Sequence, residues 1–362
     1  MTHPRSVPFR CGFLARPPDV GAGYDETSTS TGAQIYFEEH GNPDGIPALY
    51  LHGGPGRGLG KRGWTELFDP HVWHLVGMDQ RGCGQSTPHA SDLGEDLSSN
   101  TIGALIDDIE ALRINLGVEQ WVIYAVSWGT TLALAYARAF PQRVRGMVLL
   151  ALTTTSRWEV EWMSQNVATV FPEAHFSLEQ AVVRLEAEVA ALERLLRKGE
   201  PEVDEVDVDQ LRFIERVARL VSYPDSSVRE RAIRAWLTWE DAHVSLGMQC
   251  PQPPAPRADD ADFAILTTHY WAHDGFLDVP LLRDLGGAAA IETEIIHGRM
   301  DVSGPLGTAW RLSRLMPNSR LTVVETEGHG GPEMIAHAQA ALARMAQSDG
   351  PRQASTPTII SH

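Results

Sequence analysis

The stretch Tyr124-Ala125-Val126-Ser127-Trp128-Gly129-Thr130 decides the fold. An apolar run, Trp121 to Ala125, leads into it, and a helical pattern, Thr131 to Ala139, leads out. Between them stands one serine with small residues two positions before it (Ala125) and two after it (Gly129). This is the pattern of a sharp strand-turn-helix elbow. The neighbours of the serine must be small, and its hydroxyl is held up at the end of a sheet. The usual pattern has glycine on both sides; here the first is alanine, and β-branched Val126 precedes the serine. The surrounding chain therefore has to carry the reading.

On the N-terminal side, Gln34 to His40 alternates as a strand, and Ala48 to His52 is a short buried strand ending in His52-Gly53-Gly54-Pro55-Gly56. Glycines in that place let backbone approach a ligand and leave N–H groups free. His71 to Asp79 is a further strand, ending in Asp79-Gln80-Arg81-Gly82-Cys83-Gly84, and Ile102 to Leu116 has apolar residues at helical spacing. Val144 to Leu150 is the strand after the elbow helix. Alternating strands and helices predict an α/β fold with a mostly parallel sheet and helices on both faces. Sites in such sheets lie beyond the carboxyl ends of the strands.

From about Thr153 to Leu285 the strand pattern stops. Ser177 to Arg197, Val208 to Ser222, Ser226 to Val244 and Asp262 to His273 read as helices, with a Pro- and Asp-rich loop from Pro251 to Asp262 that reads as mobile. The block is read as an all-helical cap over the strand ends. The sheet then resumes with Glu292 to His297, leading to Gly298-Arg299-Met300-Asp301, and Arg320 to Val324, leading to Glu327-Gly328-His329-Gly330. Pro332 to Ala346 closes the core as a helix. The expected organisation is an N-terminal arm (1–30), extended over the surface, a core (31–152 and 286–346), a helical cap (153–285) and a disordered tail (347–362).

The formal charge of -17 weighs against a nucleic-acid partner or an anionic membrane surface. Cys11, Cys83 and Cys250 are odd in number and scattered, with neither a disulfide framework nor a metal spacing, as expected in a reducing cytoplasm. No signal-peptide core and no bilayer-spanning run is read. With no G-x-G-x-x-G opening a helix, no P-loop and no HExxH, the expectation is chemistry without a cofactor or metal.

Three polar residues stand at the ends of three strands, in the order Ser127, Asp301, His329. Serine is a weak nucleophile near neutral pH and needs an imidazole to take its proton. The imidazole needs a carboxylate to fix its tautomer and stabilise its charged form. The order Ser, Asp, His is that of α/β-hydrolases. The N–H of Trp128 and that of the glycine turn, at Gly54, are the expected oxyanion donors.

On these residues the chain resembles the prolyl aminopeptidase (proline iminopeptidase) family of α/β-hydrolases. The resemblance is carried by Gly41-Asn42-Pro43-Asp44-Gly45, His52 to Gly56, Asp79 to Ser86, Ser127-Trp128-Gly129 with Leu132 to Ala137, and His297 to Asp301. In the cap, Ala235-Trp236-Leu237-Thr238-Trp239-Glu240 and His269-Tyr270-Trp271 also match. It covers roughly residues 30 to 345. It implies the triad Ser127, Asp301 and His329, the oxyanion donors Gly54 and Trp128, Gly53 beside the substrate, and cap acids that hold a free amine. Of the family's two amine-binding carboxylates, Glu240 is kept and Thr267 stands where the other is expected. Pocket aromatics of the family are replaced by Thr153 and Met163, and Trp271 stands where it has Phe. The resemblance implies a serine hydrolase that frees an N-terminal proline-like residue from a small molecule or short peptide. The departures leave open a tailoring esterase, amide hydrolase or acyl transferase of a biosynthetic pathway with altered acyl specificity. A non-catalytic binding protein is the third reading, and the complete triad argues against it.

Overall fold

The computed structural model describes residues 3–16, 32–93, 96–196, 210–246, 257–347 and 358–361. The strands are β1 (Arg10–Ala15), β2 (Gln34–Gly41), β3 (Ile46–Leu51), β4 (Trp73–Met78), β5 (Trp121–Val126), β6 (Val144–Leu150), β7 (Thr293–Gly298), β8 (Ser319–Val324) and β9 (Thr358–Ser361). The helices are α1 (Ala90–Leu93), α2 (Ile102–Asn115), α3 (Trp128–Ala139), α4 (Arg157–Ser164), α5 (Pro172–Leu196), α6 (Phe213–Val221), α7 (Ser226–Val244), α8 (Asp260–Ala272), α9 (Leu306–Leu315) and α10 (Pro332–Gln347). The strands form one sheet in the order β1-β2-β4-β3-β5-β6-β7-β8-β9. β1 and β2 pair antiparallel, β2 pairs antiparallel with β4, and every pairing beyond β4 is parallel. This is the α/β-hydrolase architecture that the sequence predicts.

The central strands are apolar on both faces because both are covered. Along β5, Trp121, Ile123 and Ala125 enter one apolar layer with Leu132, Leu134 and Tyr136 of α3 and Leu312 of α9. Val122 and Tyr124 enter the other, against Met334, Ala338 and Leu342 of α10. Side chains alternate in direction along a strand, so one six-residue element serves both layers. Residues of α5 to α8, among them Leu185, Val217, Trp236 and Ile265, continue the first layer. Among the described residues no helix is long and apolar enough to cross a membrane.

Two differences from the sequence reading lie at the sheet edges. Within the expected N-terminal arm, Arg10–Ala15 is a strand in register with Gln34–Glu39. The alternation of Cys11, Phe13 and Ala15 is too short and too exposed to have stood out from a Pro- and Gly-rich segment. Within the expected disordered tail, Thr358–Ser361 pairs parallel with Arg320–Val323 as the last strand. Its β-branched residues satisfy backbone groups of β8 that would otherwise face outward. Residues 1–2 and 17–30 of the arm, 348–357 and 362 of the tail, 251–256 of the Pro- and Asp-rich loop, and residues 197 and 208–209 of the expected cap helices lie outside the described residues.

The elbow between β5 and α3 holds the site in place. Ser127 has φ 54° and ψ -126°, in a region L-residues rarely occupy. Such strain persists only where the surroundings over-determine it. Here the Ser127 N–H donates to Leu150 O at 2.9 Å, and the start of α3 lies hard against β3. A Cβ at Gly129 would meet Leu51 O at 2.3 Å. Gly129→Ala should therefore lose roughly 1–3 kcal/mol of stability through overpacking. Gly103→Ala in α2, where a Cβ meets nothing nearer than 3.8 Å, should gain roughly 0.5–1 kcal/mol. Denaturant midpoints of the two variants test the pair, and equal midpoints would contradict the packing argument.

Candidate active site

The elbow, the β7–α9 loop and the β8–α10 loop bring Ser127, Asp301 and His329 into one hydrogen-bonded series. His329 Nε2 lies 2.9 Å from Ser127 Oγ, and His329 Nδ1 lies 2.8 Å from Asp301 Oδ2. An ionised carboxylate only accepts, so Nδ1 carries the hydrogen and Nε2 offers its lone pair to the serine hydroxyl. Oδ1 of Asp301 accepts from the backbone N–H groups of Ser303 (3.0 Å) and Gly304 (2.9 Å). Burial pushes the Asp301 carboxyl up, but the charge and hydrogen bond of His329 outweigh it and hold the group below its ordinary value. Burial pushes His329 down, while Asp301, by charge and hydrogen bond, and Glu240, by charge, raise it above the ordinary histidine value.

The loop carrying His329 is fixed from below. Glu327, itself buried, accepts from the N–H groups of Glu333 and Met334 at 2.8 Å each. It thus satisfies orphan donors at the start of α10 and complements that helix's positive end. Its carbonyl takes the N–H of Met300 at 3.0 Å, tying the two loops that bear Asp301 and His329.

The glycine turn after β3 lies beside the nucleophile. A Cβ at Gly53 would come within 3.1 Å of Ser127 Cβ, and Gly54 has φ +119°. Trp128 is the first residue of α3, so its N–H has no acceptor within the helix. Gln80 joins the two segments. Its Nε2 donates to His52 O at 2.9 Å, and its Oε1 accepts from the Trp128 indole at 2.9 Å. The Gln80 N–H also donates to His52 Nε2 at 3.1 Å, which makes Nδ1 the donor to Gly53 O at 2.8 Å. Burial pushes the His52 value down, in keeping with a neutral ring.

The pocket residues of the sequence reading fall into two groups. Glu240, on α7, is buried, and its Oε2 has no hydrogen-bond partner among the described residues. Burial pushes its carboxyl up to about 7, against the opposing charges of His329 and Arg57. The others each have a packing or hydrogen-bond partner. Thr153 donates to Glu159 at 3.3 Å, in a segment with positive φ at Ala151 and Thr155 that Thr130, Thr131 and Glu159 bind in place. Met163 is buried, and its carbonyl takes the Trp239 indole at 3.1 Å. Trp271 meets Trp236 edge-on at 5.6 Å between ring centres. Thr267 donates to Pro55 O at 3.3 Å, within the glycine turn.

The sequence reading did not single out Gln80, Ser303, His297, Glu159 or Glu327. Gln80 lies in the turn that follows β4, and its place just after a strand is the available signal. His297 accepts from the Leu152 N–H at 3.1 Å, donates from its other nitrogen to Gly304 O and lies 3.7 Å from Asp301. That role depends on partners far along the chain.

Fold and geometry together place the chain among the α/β-hydrolases. Residues 47–205 match the family model for the alpha/beta hydrolase fold. A probable proline iminopeptidase of Streptomyces coelicolor is 37% identical over 338 residues, covering 90% of this chain and 92% of that protein. The proline iminopeptidase of Neisseria gonorrhoeae is 35% identical over 306 residues, covering 82% and 86%. A structure from work on carboxylesterases of Nitrososphaera gargenis superposes with a TM-score of 0.55 at 14% identity, covering 92% of this chain and 99% of that one, a likeness of fold. The chain belongs to the proline iminopeptidase family.

The Glu240 value carries a stability prediction. Its folded-state value of about 7 lies above the ordinary 4.5, so the folded protein binds that proton more tightly. The contribution is full below the ordinary value and is lost as pH rises through the folded one. Glu240→Gln should therefore melt at a higher temperature than the parent at pH 8, with the gain vanishing near pH 4. Calorimetry at the two pH values checks this, and a gain independent of pH would contradict it.

Proposed function

We propose that this enzyme hydrolyses the amide bond that follows an N-terminal proline-like residue in a small peptide or aminoacyl amide. The observation that carries the reading is the hydrogen-bonded series Ser127–His329–Asp301 beside the glycine turn and the start of α3, whose Gly54 and Trp128 N–H groups we read as the oxyanion donors. The Ser127 hydroxyl attacks the carbonyl carbon as His329 Nε2 takes its proton. The oxygen that gains charge lies between the two N–H donors, a contribution of about 3–4 kcal/mol for each donor lost. His329 then gives the proton to the leaving amine. Water, deprotonated by the same nitrogen, cleaves the acyl-enzyme and restores Ser127. Asp301 keeps Nδ1 protonated and offsets the imidazolium charge. Glu240 supplies the negative charge that holds the substrate's free amine. Thr153, Met163, Trp271 and Gly53 shape the acyl side of the site, and Thr267, where a second carboxylate was expected, braces the turn that bears Gly54. The helices α4 to α8 act as the cap over this site. The unpaired thiols of Cys11 and Cys83 support work in the reducing cytoplasm.

A panel of aminoacyl amides and simple esters tests the reading. A prolyl amide should be turned over, Ser127→Ala should lose about 10⁶ in kcat, and Asp301→Asn about 10⁴. Turnover of simple esters with none of aminoacyl amides would overturn the assignment. Because His329 acts as a base only when neutral and its value is raised, kcat/KM should climb as pH rises through a value above 6.5 and reach a plateau beyond it.

A further inference from the structure

A second ionisable pair adjoins the triad on the buried side of α7. His243 lies one turn after Glu240, and both are buried. His243 Nδ1 is 2.7 Å from Ser303 Oγ. The backbone N–H of Ser303 in turn donates to Asp301 Oδ1 at 3.0 Å. His243 Nε2 is 3.6 Å from Glu240 Oε2, and neither atom has a hydrogen-bond partner among the described residues. The Trp239 ring packs against the imidazole with centres 5.1 Å apart, so the ring is held from the side as well.

We propose that His243 is a positioning residue that holds the Glu240 carboxylate for a protonated amine and ties that seat through Ser303 to Asp301. This rests on the aminopeptidase reading above. Burial pushes His243 down to about 3, so the ring is neutral and acts through its tautomer. When the Ser303 hydroxyl donates to Nδ1, the hydrogen sits on Nε2 and points at Glu240 Oε2. A small side-chain rotation turns the 3.6 Å approach into a hydrogen bond to the ionised carboxylate. When Nδ1 donates to Ser303 instead, Nε2 is an acceptor and favours a protonated Glu240. An arriving ammonium group pairs only with the ionised acid, and so selects the first arrangement. The seat then has two partners for its carboxylate, the substrate cation and the imidazole, where a lone buried acid would have one. Ser303 is shared with Asp301, so the amine seat and the triad keep a constant spacing.

The test compares a prolyl ester with the matching cyclopentanecarboxylate ester, which lacks the amine. In His243→Leu, the ratio of kcat/KM between the two esters should fall roughly 10–100-fold, the value of a hydrogen bond to a charged group, with the loss in KM for the prolyl ester. His243→Gln, whose amide N–H reaches the place of Nε2, should restore most of the ratio. Ser303→Ala, which frees the tautomer and leaves the backbone bond to Asp301, should lower the ratio to a smaller degree. An unchanged ratio in folded Ser303→Ala and His243→Leu, or the same ratio in His243→Gln as in His243→Leu, overturns the proposal. A parent enzyme that treats both esters alike overturns the aminopeptidase reading, and the amine seat with it.

Discussion

The approach of α3 to β3 constrains everything else in the molecule. The helix begins so close to Leu51 O that only a glycine fits at position 129. Two residues earlier, Ser127 takes its positive φ at the turn from β5 into that helix. The hydroxyl is then aimed past the strand ends, where the loops after β7 and β8 can reach it. The same contact brings the glycine turn after β3 within touching distance of the serine. One backbone approach thus sets Ser127 and the glycine turn together. The two apolar layers hold that approach by burying opposite faces of β5.

The site is built from charges out of water. Asp301 would not stay ionised if burial acted alone; two backbone N–H groups and His329 make it an acceptor with every oxygen occupied. Glu240 stands in the opposite state, with one oxygen unmatched. A buried polar atom without a partner costs free energy, and active sites are where such costs are retained. The two carboxylates act on the same imidazole, one by contact and one by field.

The core of the fold was legible because each central strand is a continuous apolar run ending in glycine or a polar residue. The strands from Gln34 to Val324 and the long helices appear where the patterns place them, with ends shifted by up to five residues: α5 begins at Pro172 rather than Ser177 and α6 at Phe213 rather than Val208. The short helices α1, α4 and α9 are not legible in the sequence. In α4, Glu159 faces inward to the threonine-rich segment, and this breaks the apolar periodicity. The edge strands escaped because pairing with a neighbour, not burial, defines them. At the site, the triad was readable from order and strand ends. Gln80, His297 and Ser303 were not, because each acts on a group distant in the chain. Thr267 was read as a lost carboxylate, and nothing in its neighbours shows that its hydroxyl would turn to Pro55.

Helix α8 is stitched to the glycine turn at several points. Arg57 pairs with Asp260 at 2.8 Å and lies over the Phe263 ring at 3.7 Å. A Cβ at Gly56 would strike Phe263 Cα at 2.8 Å, and Thr267 holds Pro55 O. Asp262 reaches back to His89 and the Ser91 N–H. Helix α8 and the glycine turn beside the nucleophile are therefore one mechanical unit. Any displacement of α8 pulls on Pro55 and Gly56 and, through them, on the glycine turn that lies against Ser127.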